Sequence, residues 1–159
     1  MKRIIKIAIA TCIFQITAMA VYSQTLSVSD LIRLTVLSHQ EAAQFISTQK
    51  HFKIIKPIVK NGVTLSQFSN EAYLLSELVI KGEFRDKNNV VHPSLNYDFK
   101  PPMYVNTIVS QLKAMGFTLT TRQSDATKQV WVFDNGRYLV SIHAYAEAVL
   151  PANVEIHRK

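Results

Sequence analysis

The sequence predicts an α+β fold in which a largely antiparallel sheet is covered by helices. Three stretches carry that prediction. From Gln129 to Tyr145, two runs of β-branched and aromatic residues flank Asn135-Gly136, the pair that most readily supplies the two positive φ angles of a type I′ hairpin turn. From Val105 to Met115, the apolar residues Val105, Ile108, Val109, Leu112 and Met115 recur at helical spacing and form the cleanest amphipathic stripe in the chain. Ser38 and Glu41 have the Ser-x-x-Glu spacing of a capping box, in which hydroxyl and carboxylate each satisfy an orphan amide at a helix start.

In chain order, the first residues read as a secretory signal peptide, 1–23. Met1-Lys2-Arg3 is its basic start, Ile7 to Ile16 its apolar run, and cleavage follows Ala20 or Ser23. A bilayer-spanning helix needs about 20 apolar residues, and this run, broken by Gln15, is about half that, so no transmembrane span is expected after cleavage. Cys12, the one cysteine, lies inside the run, so the mature chain can form no disulfide. The formal charge of +7 falls as Lys2, Arg3 and Lys6 leave, since 15 basic against 11 acidic residues give +4. That mild charge argues for solubility and only weakly for nucleic acid or a polyanionic partner, and no nucleic-acid partner is expected. Residues 24–159 are long enough for one domain with one core and short for two.

A helix is expected from Asp30 to Leu37 with Ser29 as N-cap, then a second from the Ser38 cap to about Gln49, its apolar face being Ala42, Phe45 and Ile46. Phe52, Ile54 and Ile55 read as strand, and Pro57 keeps that segment from a central ladder position. Asn61-Gly62 marks a turn. Val63 to Ser69 fits helical and strand spacing equally and reads as connection. Ala72 to Ile80 reads as a strand closed by Gly82 and the polar run Arg85 to Asn89, with a helix as the alternative because Leu74, Leu75, Leu78 and Val79 also form a stripe. Val90 to Tyr97 is a weaker strand in which His92-Pro93 implies an edge or a break.

Pro101-Pro102 punctuates the chain before the helix Tyr104 to Met115, with Lys113 in its last turn and Gly116 at its C′ position. Phe117 to Thr121 is a strand, the hairpin follows, and Val154 to His157 is a terminal strand. A two-residue turn would pair Asp134 with Arg137, Phe133 with Tyr138, Val132 with Leu139 and Trp131 with Val140. Trp131, Phe133, Tyr138, Val140 and Ile142 then share a face that must be buried, and the upstream helix is expected to cover it. All four glycines and all five prolines fall at expected boundaries or edges. Helix, then His51-Phe52-Lys53-Ile54, then strands is echoed by helix, then Gly116-Phe117-Thr118-Leu119, then strands. Tandem helix-then-strands units of about 26–100 and 101–159 sharing one sheet follow from this echo.

This order, with Ser38 to Glu41, Gly116-Phe117 and Asn135-Gly136 as its fixed points, resembles a group of small exported bacterial α+β proteins of unassigned function. In architecture alone it is also similar to the secreted β-lactamase-inhibitor proteins, whose sheet is a docking surface. The points of resemblance are structural, so it carries over no catalytic residue, and likeness of fold alone assigns no function.

Candidate chemistry is sparse. His143, Glu155 and His157 converge if the hairpin and the last strand are neighbours, and Glu155 and His157 share a strand face, as a two-histidine, one-carboxylate metal site requires. The same spacing belongs to any polar strand face, so no metal and no cofactor is assigned. His39, in the capping box, is expected to face solvent. The run Lys50, His51, Lys53, Lys56, Lys60 contains no acid and forms a possible anion patch, with edge-strand protection as the structural reading. The sequence lacks the Gly-x-Ser-x-Gly elbow, the His-Glu-x-x-His pair and a phosphate-cradling loop. Asp98, Asp125, Asp134 and Glu147 lie at expected turns or strand ends, and Trp131 reads as core. The expectation is a non-catalytic, periplasmic or secreted bacterial protein that binds another envelope or secreted protein through its sheet or an edge strand. The alternatives are a binder of an anionic ligand or glycan at Lys50 to Lys60 and, third, a small hydrolase using His143 or His157.

Overall fold

The computed structural model describes residues 25–60, 63–72, 75–85, 87–88, 90–100, 102–147 and 149–159. The expected signal peptide with Cys12, the expected turn at Asn61-Gly62, and Pro101 lie outside the described residues.

Within them the fold is mixed α+β, with three helices and one antiparallel sheet of eight strands. The helices are α1 (Val28–Val36), α2 (His39–Lys50) and α3 (Val105–Ala114), the last preceded by a 3-10 turn at Pro102–Tyr104. The strands are β1 (Lys53–Lys60), β2 (Val63–Ala72), β3 (Leu75–Arg85), β4 (Val91–Lys100), β5 (Thr118–Ser124), β6 (Lys128–Asp134), β7 (Tyr138–Tyr145) and β8 (Ala152–Arg158). Their order across the sheet is β1-β2-β3-β4-β8-β7-β6-β5, so the last strand enters at the centre and β1 and β5 form the edges.

Two capping boxes set the helical pair. Ser38 and Glu41 satisfy each other's backbone amides at the start of α2 as expected. The cap of α1 is Ser27 rather than Ser29, because Asp30 sits at the third helical position and returns a carboxylate to the Ser27 amide at 3.0 Å. Lys50, in the last turn of α2, reaches that carboxylate at 2.8 Å and ties the two helices. His51 closes α2 in the left-handed conformation, φ 61°. The side chain of Gln111 on α3 accepts from the Val28 amide at 2.8 Å, satisfying another orphan donor of α1. Gly116 ends α3 with φ 79°, and the Phe117 amide returns to the Leu112 carbonyl at 3.0 Å.

Alternation sorts the sheet into two faces. On one, Phe68, Val79, Leu95, Tyr97, Phe99, Phe133, Val140, Ile142, Val154 and Ile156 are buried in a single core with Leu31, Leu34, Phe45, Ile46, Ile108 and Leu112 of the helices. Burying each of these side chains contributes about 1.5–3 kcal/mol before entropy is counted. α1 lies against β4 and β8, and α2 against β1 and β2. The closest backbone neighbours of α3 are the 3-10 turn and α1. The apolar stripe of α3 joins the same core as the hairpin, but α1 is the helix that crosses the middle of the sheet. Met115, placed in that stripe by spacing, is instead 42% exposed beside the helix end.

Several strands differ from expectation for identifiable reasons. Val63 to Ser69 is strand β2, its alternation hidden because the buried positions include Ser66 and Asn70's half-buried amide. Gly82 does not close a strand: it lies inside β3 opposite Ser94, and a Cβ there would meet Leu65 Cδ2 at 2.5 Å. Glycine is present because the Leu65 side chain folds over the backbone at that point. β4 is central despite Pro93, which lies one residue before the β4–β8 ladder begins at Ser94, so its missing amide breaks no bond there. Pro57 behaves as expected, on edge strand β1 within a register shift between Ile55 and Ile58.

The hairpin register is displaced by two residues. Asp134 pairs with Leu139, Phe133 with Val140 and Trp131 with Ile142. Of the turn pair only Gly136 takes a positive φ, 82°. The Asn135 side chain instead accepts from the amides of Arg137 and Tyr138, and Asp134 accepts from Gly136, which holds a wider loop. A slip of two preserves the faces, so Phe133, Tyr138, Val140 and Ile142 are still buried.

Candidate functional site

The opposite face of the sheet carries a different composition. Leu65, Leu78, Ile80, Val130, Val132 and Leu139 stand outside the core on this side. Register aligns its residues into transverse rows. One row runs Leu78, Asp98, Asn153, His143, Val130, and the next runs Ile80, Asn96, Glu155, Ser141, Val132. A polar tract three strands wide, on β4, β8 and β7, is thus bordered by apolar residues on β3 and β6. All ten of these side chains are half-buried.

The tract contains the histidines and carboxylate singled out from the sequence. β7 does neighbour β8, and Glu155 Oε2 lies 3.9 Å from His143 Nε2 and 3.8 Å from His157 Nε2. Both separations exceed hydrogen-bond length. Glu155 stands between the imidazoles, with the two histidines on opposite sides of it along the sheet. Among the described residues no group of three His, Cys, Asp or Glu side chains is arranged to hold a metal ion. Burial, and next the charge of Lys128, push the His143 imidazole below its ordinary pKa, while Glu155 opposes them. Neither His143 ring nitrogen has a hydrogen-bond partner among the described residues.

Asp98 is a central strand residue rather than the turn carboxylate expected, and its Oδ1 accepts from Asn153 Nδ2 at 2.7 Å. Asp125 is a turn residue: its Oδ1 takes the Thr127 hydroxyl and the Thr127 and Lys128 amides, which hold its carboxyl below the ordinary range. Asp134 ends β6 and pairs with the Lys159 ammonium. Glu147 is exposed in the loop before β8. Trp131 packs against the core, as read from the sequence.

The lysine run divides. Lys50 is committed to Asp30: burial works against that carboxylate, but the Lys50 and Ser27 hydrogen bonds outweigh it and hold its pKa below the ordinary value. Lys53 and Lys56 project from edge strand β1, exposed beside Ile54, Ile58 and Val59. Lys60 pairs through its backbone with Val63, and its side chain lies outside the described residues.

Sequence reasoning missed the polar groups on the buried face. Glu77 is 2% exposed and accepts from the Thr25 amide, the Asn70 side chain and the Tyr97 hydroxyl. Lys81 is buried and donates to the Thr35 carbonyl at the end of α1 at 3.2 Å, where the helix dipole favours a cation, although burial lowers its pKa. His39, expected in solvent, instead places Nδ1 2.6 Å from Ser66 Oγ. A cleft of about 430 Å³ beside them is lined by His39, Glu41, Lys81, Glu83, Pro93 and Arg158, with its acids and bases in balance. Reading β2 as a strand would have exposed the shared parity of Ser66, Phe68 and Asn70 and hence this layer.

Comparison with protein-family models, with curated proteins and with solved structures finds no match to this chain. Among the described residues no helix is long and apolar enough to cross a membrane.

Proposed function

We propose that the chain is an exported, non-catalytic binding protein of the bacterial envelope, periplasmic or secreted, that docks a protein partner on the open face of its sheet. The observation that carries this reading is the pair of transverse rows, where an amide- and carboxylate-bearing tract lies within an apolar border. Interfaces commonly combine directional polar groups with apolar contact area, and eight strands give the face the breadth of a standard interface. We read the architecture as tandem units, 26–100 and 101–159, with the helices forming a cover on one face so that the other is available.

The test is affinity capture from an envelope extract with the chain from Gln24 as bait, beside an Ile80→Glu/Val132→Glu variant that alters the apolar border and a Lys53→Gln/Lys56→Gln control. A protein retained by the parent and the control but lost from the border variant supports the reading. Retention by all three baits refutes the face as the docking surface. An anionic ligand or glycan is the second reading, favoured by the exposure of Lys53 and Lys56; it requires retention that the control loses and that salt abolishes.

A further inference from the structure

Two carboxylates in the polar tract are not fully satisfied by donors among the described residues, and they specify what it would hold. Glu155 accepts no hydrogen bond from the described residues, its nearest partners being imidazole nitrogens at 3.8 and 3.9 Å. Asp98 uses Oδ1 for Asn153, and Oδ2 accepts from no donor among the described residues. Lys100 lies two residues beyond Asp98 on the same face, and Lys128 two residues beyond Val130 with its ammonium 5.5 Å over the Tyr145 ring. Neither lysine lies within ion-pair distance of Asp98 or Glu155 among the described residues. Asp98 and Glu155 occupy diagonal positions on the neighbouring strands β4 and β8, positions whose backbones lie roughly 7 Å apart, within reach of one bridging group on the same face.

We propose that this tract is the seat of an arginine side chain projecting from a protein partner, its guanidinium bridging Glu155 and Asp98. The inference rests on the open face being the docking face and names the chemistry that the partner brings to it. Arginine suits the seat better than lysine because its five N–H donors lie in a planar fork that can serve two carboxylates at once, and it sheds its hydration more readily. Charge-assisted bonds of this kind are short and strong, and they fix orientation as well as affinity. Leu78 and Ile80 on one side and Val130 and Val132 on the other would receive the partner's apolar neighbours of that arginine. The arginine is thus the polar centre of an otherwise apolar contact.

The experiment titrates the ¹⁵N-labelled protein with two blocked tripeptides, Leu-Arg-Leu and its neutral isostere Leu-citrulline-Leu, and follows backbone amide shifts. The arginine peptide is expected to move amides at 96–98, 141–143 and 153–155 and to bind at least about fivefold more tightly than the citrulline peptide. Glu155→Gln and Asp98→Asn should each weaken it about threefold to tenfold with the fold unchanged by circular dichroism. Equal binding of both peptides at those amides keeps the docking face and overturns the arginine seat. Shifts confined to other surfaces, or none up to about 50 mM peptide, overturn the seat as well, and only loss of capture by the border variant then speaks for the face itself.

Discussion

The Tyr97 hydroxyl on β4 donates to the Glu77 carboxylate on β3, both on the core face of the sheet and both nearly inaccessible to water. With the Thr25 amide and the Asn70 side chain, this contact ties the start of the described chain to the centre of the sheet. Burial and the adjacent carboxylate push the Tyr97 phenol far above its ordinary pKa, so it remains a donor. Tyr97→Phe leaves a buried carboxylate short of one donor and should cost about 1–3 kcal/mol in urea denaturation. A cost near zero would show that water or a side-chain shift supplies the missing donor.

Ile108 and Leu112 are fully buried and Met115 is not. Ile108→Ala and Leu112→Ala should each cost about 2–5 kcal/mol, against less than about 1 kcal/mol for Met115→Ala. Comparable losses at all three positions would mean that α3 buries a wider stripe than described.

The Gly82 and Leu65 contact is a steric relationship that a double-mutant cycle can resolve. The obstructing atom is the tip of a flexible side chain, so Gly82→Ala should change stability by no more than about 1 kcal/mol, while Gly82→Val should cost about 1–3 kcal/mol through overpacking. Leu65→Ala in the same chain should remove most of the valine penalty. Strict additivity of the two substitutions would refute the contact.

His143 has a pH signature whose sign follows from its environment. Burial and Lys128 lower its folded-state value below the ordinary 6.5, so the unfolded chain takes up a proton first as pH falls. Its contribution to stability is therefore complete above about 6.5 and is lost as pH drops from there through the lowered folded value. His143→Gln should flatten that part of the stability profile, and Glu155→Gln should depress the imidazole titration further by removing the one opposing charge. Imidazole NMR titration would contradict the arrangement if Glu155→Gln raised the midpoint.

Short-range chemistry made much of this molecule legible in the sequence. Ser38 and Glu41 form a cap because their spacing is a property of one helical turn, and Val105, Ile108 and Leu112 share a face for the same reason. The hairpin faces survived a two-residue error in register because side-chain direction repeats every two residues. The convergence of His143 with Glu155 depends on β7 and β8 being neighbours, an order that local spacing does not encode.

What only the tertiary structure decided is who pairs with whom. The insertion of β8 between β4 and β7 sets Asp98 beside Asn153 and Glu155 beside Ser141. Those partners lie 55 and 14 positions apart in the chain, beyond any local periodicity. Gly82 inside β3, Pro93 inside a central strand and Ser66, Glu77 and Lys81 on the buried face are likewise explained by neighbours from other strands and from α1 and α2. The sequence by itself determined the three helices, the Ser38 cap, the hairpin strands and the apolar faces of α2 and the hairpin, which depend on bonds and contacts within a few residues. The sheet order, and with it the polar tract and its two carboxylates, depended on long-range pairing, where the free energy of burying the whole apolar face selects one arrangement of strands that local propensity leaves open.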